Sequence, residues 1–269
     1  AVGIAAAIIG TFFVKGDENA SLRFIGQDSL LISVESSAKS SFNNGAALSL
    51  YMLLDRSTSM GWATDKAGVN KIAALKMAVN YLTETLRDSD PSFSSSGQAS
   101  KLVRTGATAY NHNAFAETAM AWGTKHTLDY ANKLPSVPDG FTSAVNAMKA
   151  AIKALERKNT KERAAHESAG NATFERYIVF MTDGEMTGAS ADWSQPIDTE
   201  VRSLCETAKT DGIVIFSVAF AAPVNGQNLL KACASSASHY YEPEKITDLI
   251  AAFGDIARKA SSKISALTH

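Results

Sequence analysis

Residues 47–60 read ALSLYMLLDRSTSM, and this stretch decides the fold. Ala47 to Leu54 is an almost continuous apolar run, the pattern of a strand buried on both faces. The run stops at Asp55, and the polar cluster Asp55-Arg56-Ser57-Thr58-Ser59 follows. A second segment has the same form: Arg176 to Met181 (RYIVFM) is apolar after its first residues and ends in Thr182-Asp183-Gly184-Glu185. Ile213 to Ala219 (IVIFSVA) makes a third buried-strand pattern.

Helical periodicity fills the intervals. Ile72, Leu75, Val79, Leu82 and Leu86 form one apolar stripe, and Val145, Met148, Ile152 and Leu155 form another. Further helices are predicted around Val201 to Lys209 and Leu229 to Ala234. The closing helix carries Ile246, Leu249, Ile250, Phe253 and Ile256. Weaker strands are predicted at Leu102 to Tyr110, Ala116 to Trp122 and His239 to Tyr241. Asp88 to Ser100 and Lys158 to Asn171 read as polar loops. Strands alternating with helices predict an α/β fold, a doubly wound and mostly parallel sheet with helices on both faces and right-handed crossovers.

The domain is expected over residues 46–269, with an insertion around 88–139, after an N-terminal extension over 1–45. In the extension, Ser29 to Val34 looks like a strand and Asn43-Asn44-Gly45 like a turn. Ala1 to Val14 (AVGIAAAIIGTFFV) is uncharged. It falls short of the roughly 20 residues that span a bilayer, and no basic segment precedes it as in a signal peptide. It reads as a buried segment of a processed chain, or as the tail of a longer hydrophobic helix. Phe12, Phe13 and Phe24 read as core residues.

Across 269 residues, 26 basic and 27 acidic side chains leave a net charge of −1. That argues against an electrostatic nucleic-acid binder, which needs a basic stripe. Two cysteines, Cys205 and Cys233, are too few for a disulfide framework or a cysteine-based zinc site. They read equally as two core residues or as one disulfide in an oxidising compartment.

In open α/β sheets, ligands bind beyond the carboxyl ends of strands, where the strand order reverses. If the two strands ending in polar clusters are neighbours, Asp55 and Asp183 face each other there. Asp139-Gly140-Phe141-Thr142, just before a helix, projects a hydroxyl to the same edge. Asp55, Ser57, Ser59, Thr142 and Asp183 offer oxygen alone, which suits hard cations: Mg²⁺ first, with Mn²⁺ or Ca²⁺ as alternatives. Neutral hydroxyl ligands leave much of the cation's charge uncompensated, so it stays electrophilic toward an incoming carboxylate.

The D-x-S-x-S cluster, a Thr farther along and T-D-G after a strand together resemble the metal-ion-dependent adhesion site of von Willebrand factor A domains. Asp55, Ser57, Ser59, Thr142 and Asp183 match that motif position by position. In the family the hydroxyls bind the metal directly, while the aspartates act directly or through water. The resemblance therefore implies a metal-dependent protein-binding domain, not an enzyme, completed by an acidic side chain of a protein partner such as a pilus or cell-surface component. A narrower resemblance is to TadG-like proteins of bacterial tight-adherence (Flp) pilus systems. It rests on Leu204-Cys205, Gly212 to Phe216, Leu229-Leu230, Cys233-Ala234-Ser235 and Tyr240-Tyr241. This implies pairing of Cys205 with Cys233, an extracytoplasmic location at the periplasm or cell surface, and a membrane anchor at the N-terminus.

Plainer readings stand beside these. Serines are common in turns, and Thr142 can simply cap a helix. Arg56 and Glu185 flank the site, either contacting a ligand or paired locally. The five histidines show no metal-ligand spacing and read as surface or loop residues. Asn171-Ala172-Thr173 fits a glycosylation sequon, and Asp88 and Asp90 read as solvated. No G-x-S-x-G, Walker or G-x-G-x-x-G motif occurs. Two alternatives remain: a scaffold with a purely structural metal, and a Mg²⁺-dependent phosphoryl-transfer enzyme using Asp55. The latter needs a lysine and a further carboxylate that the loop itself lacks.

Overall fold

The computed structural model describes residues 47–64, 68–90, 92–93, 100–113 and 117–265. The chain divides after Ser41, and the described residues belong to its second unit, Phe42–His269. Ser29 to Val34, the Asn43-Asn44-Gly45 turn, the Ala1 to Val14 stretch, Phe24 and His269 lie outside the described residues.

Six strands form one sheet in the order β3-β2-β1-β4-β5-β6. They are β1 (Ala47–Asp55), β2 (Val103–Tyr110), β3 (Thr118–Trp122), β4 (Phe174–Thr182), β5 (Val214–Ala219) and β6 (Tyr240–Tyr241). Every pairing is parallel except β2 with β3. The helices are α1 (Lys71–Asp88), α2 (Lys125–Asn132), α3 (Val145–Leu155), α4 (Thr160–Ser168), α5 (Gln195–Thr210), α6 (Val224–Cys233) and α7 (Ile246–Ser265).

The run in β1 is apolar apart from Ser49 because both faces are covered. Leu48, Leu50, Met52 and Leu54 enter one core with Leu75 and Val79 of α1 and Phe253 of α7. Tyr51 and Leu53 enter the other with Met148 of α3, Val201 of α5 and Leu229 of α6. Cys205 of α5 is bonded to Cys233 at the end of α6, with 5.1 Å between Cα atoms. Among the described residues, no helix is long and apolar enough to cross a membrane.

Three expectations are corrected. The segment Lys158 to Asn171 is not a loop throughout, because it contains α4, capped by the Asn159 side chain accepting from the amides of Lys161 and Glu162. The buried face of α4 is polar. Ser49 Oγ donates to Glu162 Oε1 at 2.6 Å and lies 2.8 Å from His166 Nε2, while Arg104 Nε donates to Glu162 Oε1 at 2.8 Å. A helix buried through Glu162 and His166 carries no apolar stripe for periodicity to detect. His166 is therefore a fully buried residue stacked on Phe174, not a surface one.

Asp90 is likewise buried rather than solvated. Its carboxylate accepts from the Ser92 amide at 2.8 Å, from the Ser92 hydroxyl at 2.6 Å and from the Ser100 hydroxyl, and so closes the loop on itself. Asp88 is exposed beside Arg87. Asn171 of the sequon is also buried, and its side-chain amide donates to the Lys101 carbonyl at 2.7 Å.

Candidate metal-binding site

The sheet order reverses between β1 and β4: β1 pairs with β2 on one side, and β4 pairs with β5 on the other. Leu54 is level with Met181, so Asp55 and Thr182 end their strands side by side. The crevice at such a switch point is where this architecture places ligands.

Asp55 is fully buried, and its carboxylate organises the loop that follows. Oδ1 accepts from the Ser57 amide at 2.7 Å, a local turn that Asp favours. Oδ2 accepts from the Thr182 hydroxyl at 2.5 Å. A single 3₁₀ turn, Thr58–Gly61, then brings the hydroxyls of Ser57 and Ser59 to 3.2 Å from each other. Ser59 Oγ donates to Asp183 Oδ1 at 2.7 Å, across the switch point.

Thr142 arrives on a separate loop. Gly140 has φ +81°, a backbone that favours glycine, and its carbonyl accepts from the Thr58 amide at 2.9 Å and the Thr58 hydroxyl at 3.0 Å. The Thr142 amide donates to the Thr187 hydroxyl at 3.0 Å, and its carbonyl accepts from the amides of Thr187 and Gly188 at 2.8 and 2.9 Å. A Cβ added at Gly184 would lie 3.5 Å from Thr142 Oγ1 and 3.8 Å from Ser59 Oγ. The two hydroxyls therefore flank one small space above Gly184, which a side chain there would fill. Gly184 is held from behind by α6, because a Cβ at Gly226 would meet the Gly184 carbonyl oxygen at 2.3 Å.

All five motif residues thus converge. Arg56 and Glu185 are paired locally: Arg56 forms an ion pair with Asp139, and Glu185 Oε2 accepts from Asn225 Nδ2 at 2.8 Å. Two participants were missed in the sequence. One is Thr182, quoted in the T-D-G motif but not as a site residue, the donor to Asp55. The other is Lys71, whose Nζ donates to Asp183 Oδ2 at 2.8 Å.

Burial first, then the charge of Asp183, pushes the Asp55 carboxyl up to about 7, against the hydrogen bonds from Thr182 and Ser57. A divalent cation would favour the ionised form of both carboxylates. Among the described residues, no group of three or more His, Cys, Asp or Glu side chains gathers for a metal. The donor set here is hydroxyls with two carboxylates, all oxygen, and it fits a hard divalent cation.

The family model of the von Willebrand factor type A domain matches residues 49–255. The chain belongs to this family. Solved structures with the same architecture as this von Willebrand factor A domain include the pilus adhesin SpaC from Lactobacillus rhamnosus GG. It is 11% identical with a TM-score of 0.60, over 81% of this chain and 31% of SpaC, so the chain spans about a third of SpaC. The vWF domain of the type V pili tip protein Mfa5 from Porphyromonas gingivalis is 12% identical with a TM-score of 0.58, over 82% of this chain and 97% of that one. A D319A mutant of the PilB minor pilin from Streptococcus sanguinis is 13% identical with a TM-score of 0.55, over 83% of this chain and 64% of that one. At these identities the likeness shows the fold alone. No curated protein matches the chain by sequence.

Proposed function

We propose that this domain binds a protein partner through a divalent cation, Mg²⁺ first and Mn²⁺ or Ca²⁺ as substitutes, in bacterial surface attachment or pilus assembly. The observation that carries the reading is the convergence of Asp55, Ser57, Ser59, Thr142 and Asp183 at one switch point. All four carboxylate oxygens of Asp55 and Asp183 accept from donors of the chain itself. Ser57, Ser59 and Thr142 would then be the direct ligands, with the aspartates orienting them and balancing charge. The cation supplies an open coordination position for a partner's Asp or Glu.

The Cys205–Cys233 disulfide supports an extracytoplasmic location. The resemblance to TadG-like pilus proteins adds a membrane anchor at the N-terminus, and three of the structural neighbours are pilus proteins. Burial of Asp55 opposes the phosphoryl-transfer alternative, because a nucleophile must reach its substrate.

Titration calorimetry of Mg²⁺ and Mn²⁺ into chelator-treated protein tests the proposal, with Ser57→Ala in parallel. One-site binding lost in the variant is expected. Binding by neither protein overturns the reading. A purely structural metal is told apart by Asp183→Ala, which would then lower stability and leave partner binding intact.

A further inference from the structure

Lys71 is the first residue of α1, after the Asn70 cap. That is a poor place for a cation, since the helix dipole is positive there. Its side chain nevertheless turns inward, only 9% exposed, and its ammonium bonds Asp183 Oδ2, whose side chain is fully buried. A charge set against local preference and held under cover is retained for a tertiary partner.

We propose that Lys71 is a built-in counter-cation of the metal site that weakens the hold on the metal and strengthens the hold on the partner's carboxylate. This rests on the metal-dependent reading above. With both carboxylates ionised, as a divalent cation would favour, Asp55 and Asp183 with Lys71 carry a single negative charge, and the divalent cation makes the loaded cluster singly positive. Without Lys71 the loaded cluster is neutral. The nearby charges leave this difference standing. Arg56 is neutralised by Asp139, and Glu185 is held by Asn225; both are present with or without Lys71. The ammonium also fixes the carboxylate whose Oδ1 receives the Ser59 hydroxyl, so the Ser59 lone pairs stay available for a ligand role. Lys71 is thus a positioning and charge-setting residue, not a ligand.

The test uses Mn²⁺ alone by titration calorimetry, then acetate added to the Mn²⁺-loaded protein, followed by water-proton relaxation. Lys71→Met removes the charge. Lys71→Gln removes it while keeping an amide able to donate to Asp183, should the methionine variant not fold. Lys71→Arg keeps the charge. With one unit charge removed from near the doubly charged cation, and screening close to that of water, Mn²⁺ is expected to bind about tenfold tighter to the neutral variants, and singly charged acetate about threefold weaker. Lys71→Arg should stay near the parent on both. Mn²⁺ binding that is unchanged or weaker in the neutral variants overturns the proposal while leaving the metal site standing. No Mn²⁺ binding by the parent protein overturns both.

Discussion

The Thr182 hydroxyl donates to Asp55 Oδ2 at 2.5 Å and ties the ends of the two central strands together across 127 residues. The Thr182 hydroxyl oxygen in turn accepts from the Gly184 amide at 3.1 Å, so one side chain anchors both loops of the site. Thr182→Val keeps the shape and removes the hydroxyl. It leaves a buried carboxylate short of a donor, which costs about 1–3 kcal/mol. Urea unfolding should show that loss, Thr182→Ser should recover most of it, and Mn²⁺ affinity should fall with the valine alone.

Gly226→Ala should damage the site without touching any ligand. The new Cβ would stand 2.3 Å from the Gly184 carbonyl oxygen, and backbone cannot yield as a flexible side chain can. Overpacking of this kind costs about 1–3 kcal/mol. The expected result is a lower melting temperature together with weaker Mn²⁺ binding. A variant that melts early yet binds Mn²⁺ like the parent would mean that Gly184 does not shape the site.

Reduction of Cys205–Cys233 should separate stability from function. The bridge closes a 28-residue separation, which on the chain-entropy account stabilises the fold by about 3–4 kcal/mol. Cys233 sits at the far end of α6 from Gly226 and the metal site. The double Cys→Ala variant should therefore lose stability in denaturant melts and keep its Mn²⁺ affinity.

His166 sets a pH dependence near the N-terminal ends of β1 and β4, away from the site. Burial first, then the charge of Arg104, lowers its pKa from 6.5 to about 3. The folded state keeps the ring neutral, while the unfolded chain takes up a proton below about 6.5. Between these values the unfolded state binds more protons, so stability is complete above pH 6.5 and declines as pH falls. The slope approaches about 1.4 kcal/mol per pH unit. Urea midpoints between pH 7 and 5 should follow this decline, and His166→Gln should flatten it. An unchanged slope in the variant would assign the dependence to other groups.

Residues whose role is written in a local pattern were legible in the sequence. The apolar run of β1 and the periodic stripes of α1, α3 and α7 announce faces that meet a core, and such periods survive any rearrangement of neighbours. The motif residues Asp55, Ser57, Ser59, Thr142 and Asp183 were legible by type and order, and with them the family. What the sequence did not determine depends on polar groups paired through space. Helix α4 is buried by Glu162 and His166 against Ser49 and Arg104, so it lacks the apolar signal of a helix. Asp90 accepts from the hydroxyls of Ser92 and Ser100, and Asn171 donates to the Lys101 carbonyl. Lys71 has one local trace, a cation at a helix start, and its meaning comes only from Asp183, 112 residues away. The residues alone left the pairing of Cys205 with Cys233 open, the TadG-like resemblance implied it, and the packing of α5 beside α6 shows it. Hydrophobic burial leaves a period along the chain because it acts on a whole face. A hydrogen bond or ion pair is a single contact between two points, and only the folded chain decides which two points meet.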